Sequence, residues 1–467
     1  VDVAGANLSM EWKAVVGSRY ENSPLLYKEN GFKEMASAVK LIEETLEMEP
    51  GSAVLDEERR IMGQAKGSIE KIEKKKEKKK PPLLYNLAEL QNDCSKFFKI
   101  SPDETLAVVQ ELYEKKLVTY PRTDARVLST AVAKEIHKNI RGLLGIPGVR
   151  DYAQTILDQE MYKGLAKTRY VNDKQITDHY AIIPTGQGLS ALKGLNSRAV
   201  YIYETIVRRF LAIFYPPAEY EKLNLTIKSG SEYFFASEKY LKEPGYLSLM
   251  EYSFRKKKTA TADAKEAAAV DNGSEENEGE EDENLNINMA EVLAQIKKGD
   301  EVGIGSMQIK EGETSPPKRY NSGAMILAME NAGQLIEDEE LRSQIKGSGI
   351  GTSATRAEIL KKLVSIQYLS LNGKTQVITP SLLGEMVYDV VDHSIRQLLN
   401  PELTASWEKG LTYVAEGFIT SGEYMEKLER FVAGRTVNVI RLNNQYDLRG
   451  LFDAAAVFYK QKRRTDQ

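Results

Sequence analysis

Between Ser101 and Pro121 the chain reads SPDETLAVVQELYEKKLVTYP, and this stretch leaves the backbone little freedom. Ser101 is a good helix N-cap, Pro102 follows at the first helical position and Glu104 at the third, which together make a capping box. Leu106, Val109, Leu112 and Tyr113 then recur at helical spacing, and the Lys115–Lys116 pair suits a helix C-terminus. Tyr120 stands before Pro121, so its backbone is driven toward an extended conformation. Side chains alternate along an extended segment, which predicts Tyr120 and Arg122 on one face. A phenol beside a guanidinium that can fork onto phosphate is a nucleophile with an anchor. The plainer alternative is a packed tyrosine at a strand end with an exposed arginine.

The stretch just upstream, LYNLAELQNDCSKFFKI, has the pattern of a helix. Helix, short turn, helix and short strand give the outline of a winged helix-turn-helix, with Tyr120 on the strand. Upstream of Pro81–Pro82 the pattern is α/β. MEWKAVVGSRY alternates like a strand, and Glu34 to Met48 is helical. After about Ser197 it turns strand-rich, with LNLTIKSGSEYFFASEKYL, GYLSLMEYSF and DEVGIGSMQIKEGET read as strands. From Ala324 it is helical again. The expected fold class is therefore mixed α/β and multi-domain. The expected divisions are 1–85 and 201–323 as two parts of a strand-rich domain, 86–200 as the winged-helix domain, 324–435 as a helical domain and 436–467 as a loosely held tail. A chain of 467 residues has room for this.

Charge is uneven although the net charge is only −4. SIEKIEKKKEKKK (68–80) reads as a basic, solvated run marking a boundary with Pro81–Pro82, and 259–284 as a disordered acidic loop. A nucleic-acid binder needs basic surface only where phosphates lie, so the total does not exclude one. One cysteine, Cys94, excludes internal disulfides and multi-cysteine zinc sites and suits a reducing cytosol. No stretch is apolar for long enough to suggest a membrane helix. The first residues show no signal peptide, and the missing initial methionine suggests part of a longer chain.

Six stretches, in order, resemble the type IA DNA topoisomerases, nearest the topoisomerase III branch. They are PPLLYNLAELQ, KLVTYPRTDAR, ITDHYAIIPTG, SPPKRYNSGAMI, GSGIGTSATRAEIL and NPELTASWEKGL. The resemblance implies a toroidal arrangement with a hinged gate domain and a winged-helix domain carrying the nucleophile. It implies Tyr120 as attacking group on single-stranded DNA, through a 5′-phosphotyrosine, with Arg122 and His179 as catalytic companions. Arg126, Arg169, Thr352, Ser353 and Arg356 are the expected DNA-binding residues. The glycines before Thr352 and Ser353, either of which can cap the next helix, favour a phosphate at that helix start.

Magnesium is implied as cofactor, with its carboxylates on an acidic domain that has no counterpart in these residues. That reading makes the chain a fragment able to bind a strand but poor at a full relaxation cycle. Implied partners are single-stranded DNA and helicase or other DNA-processing proteins, and the implied location is the cytoplasmic nucleoid. Ala125, Tyr180 and Ser353 depart from the family pattern, where serine, histidine and proline are common, which bears on strand positioning. Two readings of other classes stand beside this one. One is a non-catalytic binding module using the helix-turn-helix. The other is a tyrosine recombinase, which attaches the 3′-phosphate but carries its tyrosine late and more histidines than His137, His179 and His393.

Overall fold

The computed structural model describes residues 1–3, 6–254, 296–335 and 349–459. The acidic run at 259–284 and the end of the chain from residue 460 lie outside the described residues. The fold is mixed α/β, and the chain divides into two compact units. The first comprises Val1–Pro81, Pro216–Ser248 and Thr259–Pro317; the second comprises Pro82–Tyr215, Leu249–Lys258 and Lys318–Gln467.

The first unit is built on a seven-stranded sheet. Its strands are β1 (Asp2–Val3), β2 (Ala6–Asn7), β3 (Glu11–Trp12), β6 (Arg60–Lys79), β7 (Ala218–Ser229), β8 (Glu232–Glu243) and β9 (Glu301–Gln308). Their order is β2-β1-β9-β6-β7-β8-β3. A small hairpin of β4 (Leu26–Lys28) and β5 (Gly31–Phe32) precedes α1 (Met35–Thr45). Leu41, Ile42 and Leu46 pack with Ile61, Ile69, Leu225 and Ile227 in one core. The β7–β8 hairpin turns through Gly230 at φ +58°, a left-handed conformation that glycine enters without strain.

Three sequence expectations fail in this unit. MEWKAVVGSRY forms only the two-residue β3 before breaking into turns, and GYLSLM is a 3₁₀ turn at Gly245–Met250 rather than a strand. The lysine run is not a loop but the second half of β6. Lys71 to Lys79 pairs residue by residue with β7, while β9 pairs only with Arg60 to Ser68. Cross-strand contacts settle the outcome. Lys78 meets Glu219 at 2.5 Å, Glu77 meets Lys239 at 3.1 Å, and Lys239 lies over the Tyr220 ring at 4.6 Å. Lysines on a strand edge also discourage pairing with other chains.

The second unit begins with α2 (Leu87–Phe98) and α3 (Pro102–Glu114). The capping box at Ser101 and Glu104 forms as the sequence predicts. Next come α4 (Thr130–Gly142), α5 (Arg150–Asp158) and α6 (Ser197–Ala212). Leu87, Leu90, Val109, Leu112, Ile136, Ile206 and Phe210 share one core. Tyr85 ties α2 to α6 beneath it: its hydroxyl donates to Asp93 at 2.6 Å, and the Arg209 guanidinium sits 4.5 Å over its ring.

The helical stretch after residue 318 clusters into this same unit rather than forming a separate domain. It holds α7 (Ser322–Glu330), α8 (Arg356–Ser365), the hairpin β10 (Leu369–Leu371) and β11 (Ile378–Pro380), and α9 (Leu382–Ile395). It ends in α10 (Pro401–Ala415), α11 (Ser421–Ile440) and α12 (Gln445–Tyr459). Close approach makes the junction: a Cβ on Gly323 of α7 would lie 2.6 Å from the Asn92 Cα of α2. The expected loose tail from residue 436 holds the end of α11, to Ile440, and α12, which ends at Tyr459, whose hydroxyl donates to Glu385 at 2.6 Å.

Candidate active site around Tyr120

Helix α3 ends in a tight cap that aims the chain at the site. Lys116 N–H donates to the Tyr113 carbonyl at 2.8 Å and Leu117 N–H to the Leu112 carbonyl at 2.9 Å, with Lys116 left-handed at φ +63°. This is a Schellman motif with lysine where glycine is usual. Lys116→Gly is therefore expected to raise stability by about 1 kcal/mol by removing left-handed strain, read as a higher denaturant midpoint.

The expected short strand after this cap is reduced to one isolated bridge, Val118 to Pro184. Backbone bonds from Thr119 N–H to the Ile183 carbonyl and from Thr185 N–H to the Leu117 carbonyl, 3.0 Å each, join the two segments, and two threonine side chains add to the clasp. The Thr119 hydroxyl donates to the Ala181 carbonyl at 3.0 Å and accepts from Ile183 N–H at 3.0 Å. The Thr123 hydroxyl donates to the His179 carbonyl at 2.9 Å. Segment 117–125 is thereby locked to 179–185, and the rings of Tyr120 and His179 come to 4.3 Å.

Tyr120 is half-buried and its ring meets that of Tyr113 edge-on at 5.5 Å. It borders an open cleft of about 400 Å³, also lined by Lys116, His179, Tyr180 and Gln187. Arg122 is exposed, and among the described residues its side chain makes no hydrogen bond or ion pair. The arrangement offers a phenol at a cleft wall, an imidazole against it and an uncommitted guanidinium two residues along. Thr119 and Thr123, which set this geometry, were not singled out from the sequence. Their alternation around Tyr120 was the available signal.

The other expected DNA contacts separate. Arg169 is exposed, over the Tyr170 ring at 5.4 Å. Arg126 is tied to Glu89 and donates to the Leu84 carbonyl at 3.3 Å; burial lowers its pKa. Thr352 and Ser353 do not cap a helix. The N-cap of α8 is Thr355, and the Thr352 carbonyl accepts from the N–H groups of Thr355 and Arg356 at 3.0 Å each. Arg356, expected on phosphate, is 1% exposed. Its guanidinium donates to Asp124 at 2.8 Å and to the carbonyls of Ile350 and Gly351 at 3.2 Å each. A forked cation this enclosed has its donors spent inside the protein.

Arg356 belongs to a buried polar cluster that the sequence did not reveal. Asn86, the N-cap of α2, donates to Glu330 of α7 at 2.7 Å and to the Asp124 carbonyl at 3.2 Å. Glu330 in turn lies 3.9 Å from Arg356. The cluster thus joins the segment carrying Tyr120 to three helix ends. Burial pushes the Glu330 carboxyl up to about 6, beyond what Arg356 can offset. A carboxyl with a raised folded pKa is most stabilising when protonated, so its contribution is lost as pH rises from about 4.5 to about 6. Glu330→Gln is expected to gain on the parent protein by up to ~2 kcal/mol across that window, measured as the difference in denaturant midpoints at pH 4.5 and 7.

Among the described residues no group of three or more His, Cys, Asp or Glu side chains could hold a metal ion. Asp124, Glu330 and Glu89 face Arg356, Asn86 and Arg126 instead, so these residues do not fit a magnesium site. Among the described residues, too, no helix is long and apolar enough to cross a membrane.

Comparison with known proteins agrees with the mixed α/β fold and with the family that the sequence resembles. The chain is 33% identical over 379 residues to DNA topoisomerase 3 of Bacillus licheniformis, covering 80% of this chain and 47% of the relative. It is 32% identical over 382 residues to DNA topoisomerase 3 of Bacillus subtilis, covering 81% and 47%. The chain thus spans about half the length of these relatives. Full-length topoisomerase I from Thermotoga maritima superposes with a TM-score of 0.55 at 20% identity, over 87% of this chain and 55% of that one, a likeness of fold. Residues 49–426 match the DNA topoisomerase family, and with a match of that extent the chain belongs to it, on its type IA, topoisomerase III-like side.

Proposed function

We propose that this chain carries the strand-cleaving tyrosine of a type IA topoisomerase acting on single-stranded DNA. The observation behind the reading is Tyr120 at the cleft wall, against His179 at 4.3 Å, with Arg122 uncommitted beside it. The Tyr120 oxygen attacks phosphorus, the bond to the 3′-oxygen breaks, and the strand is left with a 5′-phosphotyrosine and a 3′-hydroxyl. The phenolic proton leaves, with His179 as its neighbour, and Arg122 meets the charge that builds on phosphate. The 3′-hydroxyl reverses the step after another strand has passed. The phosphodiester energy is kept in the tyrosyl ester, so no nucleotide is consumed.

Helices α2 to α4 with the Tyr120 segment are read as the winged-helix element, and the toroid of the family as the setting. Magnesium, if used, is held by residues other than those described, and no step above runs through it. The reading makes these residues by themselves able to bind a strand but poor at full relaxation; relaxation of supercoiled plasmid at the efficiency of a whole topoisomerase would count against that. It also suits a DNA-bound location and helicase-type partners.

The test is polarity. A single strand is labelled at either end, mixed with the protein and Mg²⁺, and quenched with detergent. Transfer of the 3′-end label to protein supports the reading, because the 5′-phosphate side carries that end. Transfer of the 5′-end label would instead mean recombinase-type attachment and would overturn it.

A further inference from the structure

The cleft beside Tyr120 has more in it than a phosphodiester needs. Tyr113, on the last turn of α3, is 39% exposed and belongs to no hydrophobic core cluster. Its recorded ring contact is the edge-on one with Tyr120. A tyrosine left at a cleft wall in this way offers a flat aromatic surface to whatever enters. Opposite in sequence but lining the same cleft, Tyr180 is half-buried, and burial pushes its hydroxyl up. Lys116 lines the cleft from a left-handed backbone position where glycine would be unstrained. Among the described residues its ammonium makes no ion pair. Strain retained at a site lining residue points to a use for its side chain. Gln187 is exposed, and among the described residues its amide is unpaired, leaving one donor group and one acceptor free.

Aromatic faces, a cation and a free amide are what one nucleotide asks for: stacking for the base, charge for the phosphate, hydrogen bonds for the base edge. A volume of about 400 Å³ is at the small end for ligand sites and is enough for a single base. We propose that the cleft formed by Tyr113, Lys116, Tyr180 and Gln187 is a nucleobase subsite, which takes one unstacked base adjoining the phosphate that Tyr120 attacks. This deepens the reading of Tyr120 as a nucleophile on single-stranded DNA and rests on it. It assigns the cleft a part in registering the strand, since a base seated there fixes which phosphate lies at the phenol.

The test is an abasic scan. The protein is titrated with short fluorescent single strands in which one position at a time lacks its base, at fixed low salt. The expected result is one position whose abasic form binds about tenfold more weakly, the scale of a single base–aromatic stack. That sensitivity is expected to vanish in Tyr113→Ala and to persist in Tyr113→Phe, while the salt dependence of binding stays the same in both. A strand with 2-aminopurine at the sensitive position is expected to change emission on binding to the parent protein but not to Tyr113→Ala. A flat scan, or a Tyr113→Ala variant that loses affinity equally for every strand, overturns the subsite while leaving the nucleophile reading intact. Failure of the parent protein to bind any single strand overturns that reading and the subsite with it. Tyr113 is exposed outside the core, and circular dichroism of both variants checks that the fold is kept.

Discussion

Tyr120→Phe is expected to abolish covalent attachment to DNA while leaving the fold and strand binding unchanged. Among the described residues the Tyr120 hydroxyl makes no hydrogen bond, so its removal orphans nothing. The ring itself keeps its contacts with His179 at 4.3 Å and Tyr113 at 5.5 Å. The variant therefore removes the attacking oxygen and little else, and loss of a sole nucleophile leaves no alternative route to a covalent adduct. The measurement is labelled protein after a detergent quench, beside the melting temperature and the affinity for a single strand. The binding-module alternative predicts no adduct in either protein and no difference between them.

Arg356→Ala is expected to cost about 3 kcal/mol, the low end for stranding a buried charge partner, because Glu330 loses its cation while Asp124, 39% exposed, is left to water. In a unit of this size that is a fall of roughly 10 °C in melting. Arg356→Lys is expected to recover only part of it, since an ammonium cannot reach a carboxylate and two carbonyls with a planar fork. Calorimetry alongside strand binding separates the two roles open to this arginine. A phosphate contact would leave melting unchanged and lower the salt slope of DNA binding by about 1. The enclosed position, 1% exposed, favours the structural outcome.

That cluster also gives a physical reason why stretches far apart in the chain share a family likeness. Asn86 comes from PPLLYNLAELQ, Asp124 from KLVTYPRTDAR and Arg356 from GSGIGTSATRAEIL, with Glu330 from the helix that SPPKRYNSGAMI opens. Asn86, Glu330 and Arg356 leave polar groups largely shut off from water, Asp124 stays 39% exposed, and the four bond to one another across the chain. A buried polar group without its partner costs about 1–3 kcal/mol, so the members stand or fall together.

Local rules carried the reading of the chain wherever the controlling contacts are local. The capping box at Ser101 and Glu104 closes between residues three apart, and the start of α3 follows from it. The position of Tyr120 just beyond that helix, and its pairing in sequence with Arg122, were legible for the same reason. The fate of long polar runs was not. Lys71 to Lys79 reads as solvated charge, yet Glu219, Lys239 and the rest of the β7–β8 hairpin, well over a hundred residues away, make it a strand. Arg356 looked free because its three acceptors lie on a distant loop and a preceding turn.

By itself, then, the sequence determined the mixed α/β class, the capped helix before Tyr120 and the identity of Tyr120's neighbours along the chain. Only the tertiary structure decided which arginines are spent inside the protein and which are left exposed. Only it brought His179 to Tyr120, through hydroxyls of Thr119 and Thr123 that bond across 62 and 56 residues. The physical reason is one of range. Caps and proline act over a few residues of backbone, whereas burial and charge pairing depend on which segments the fold brings together.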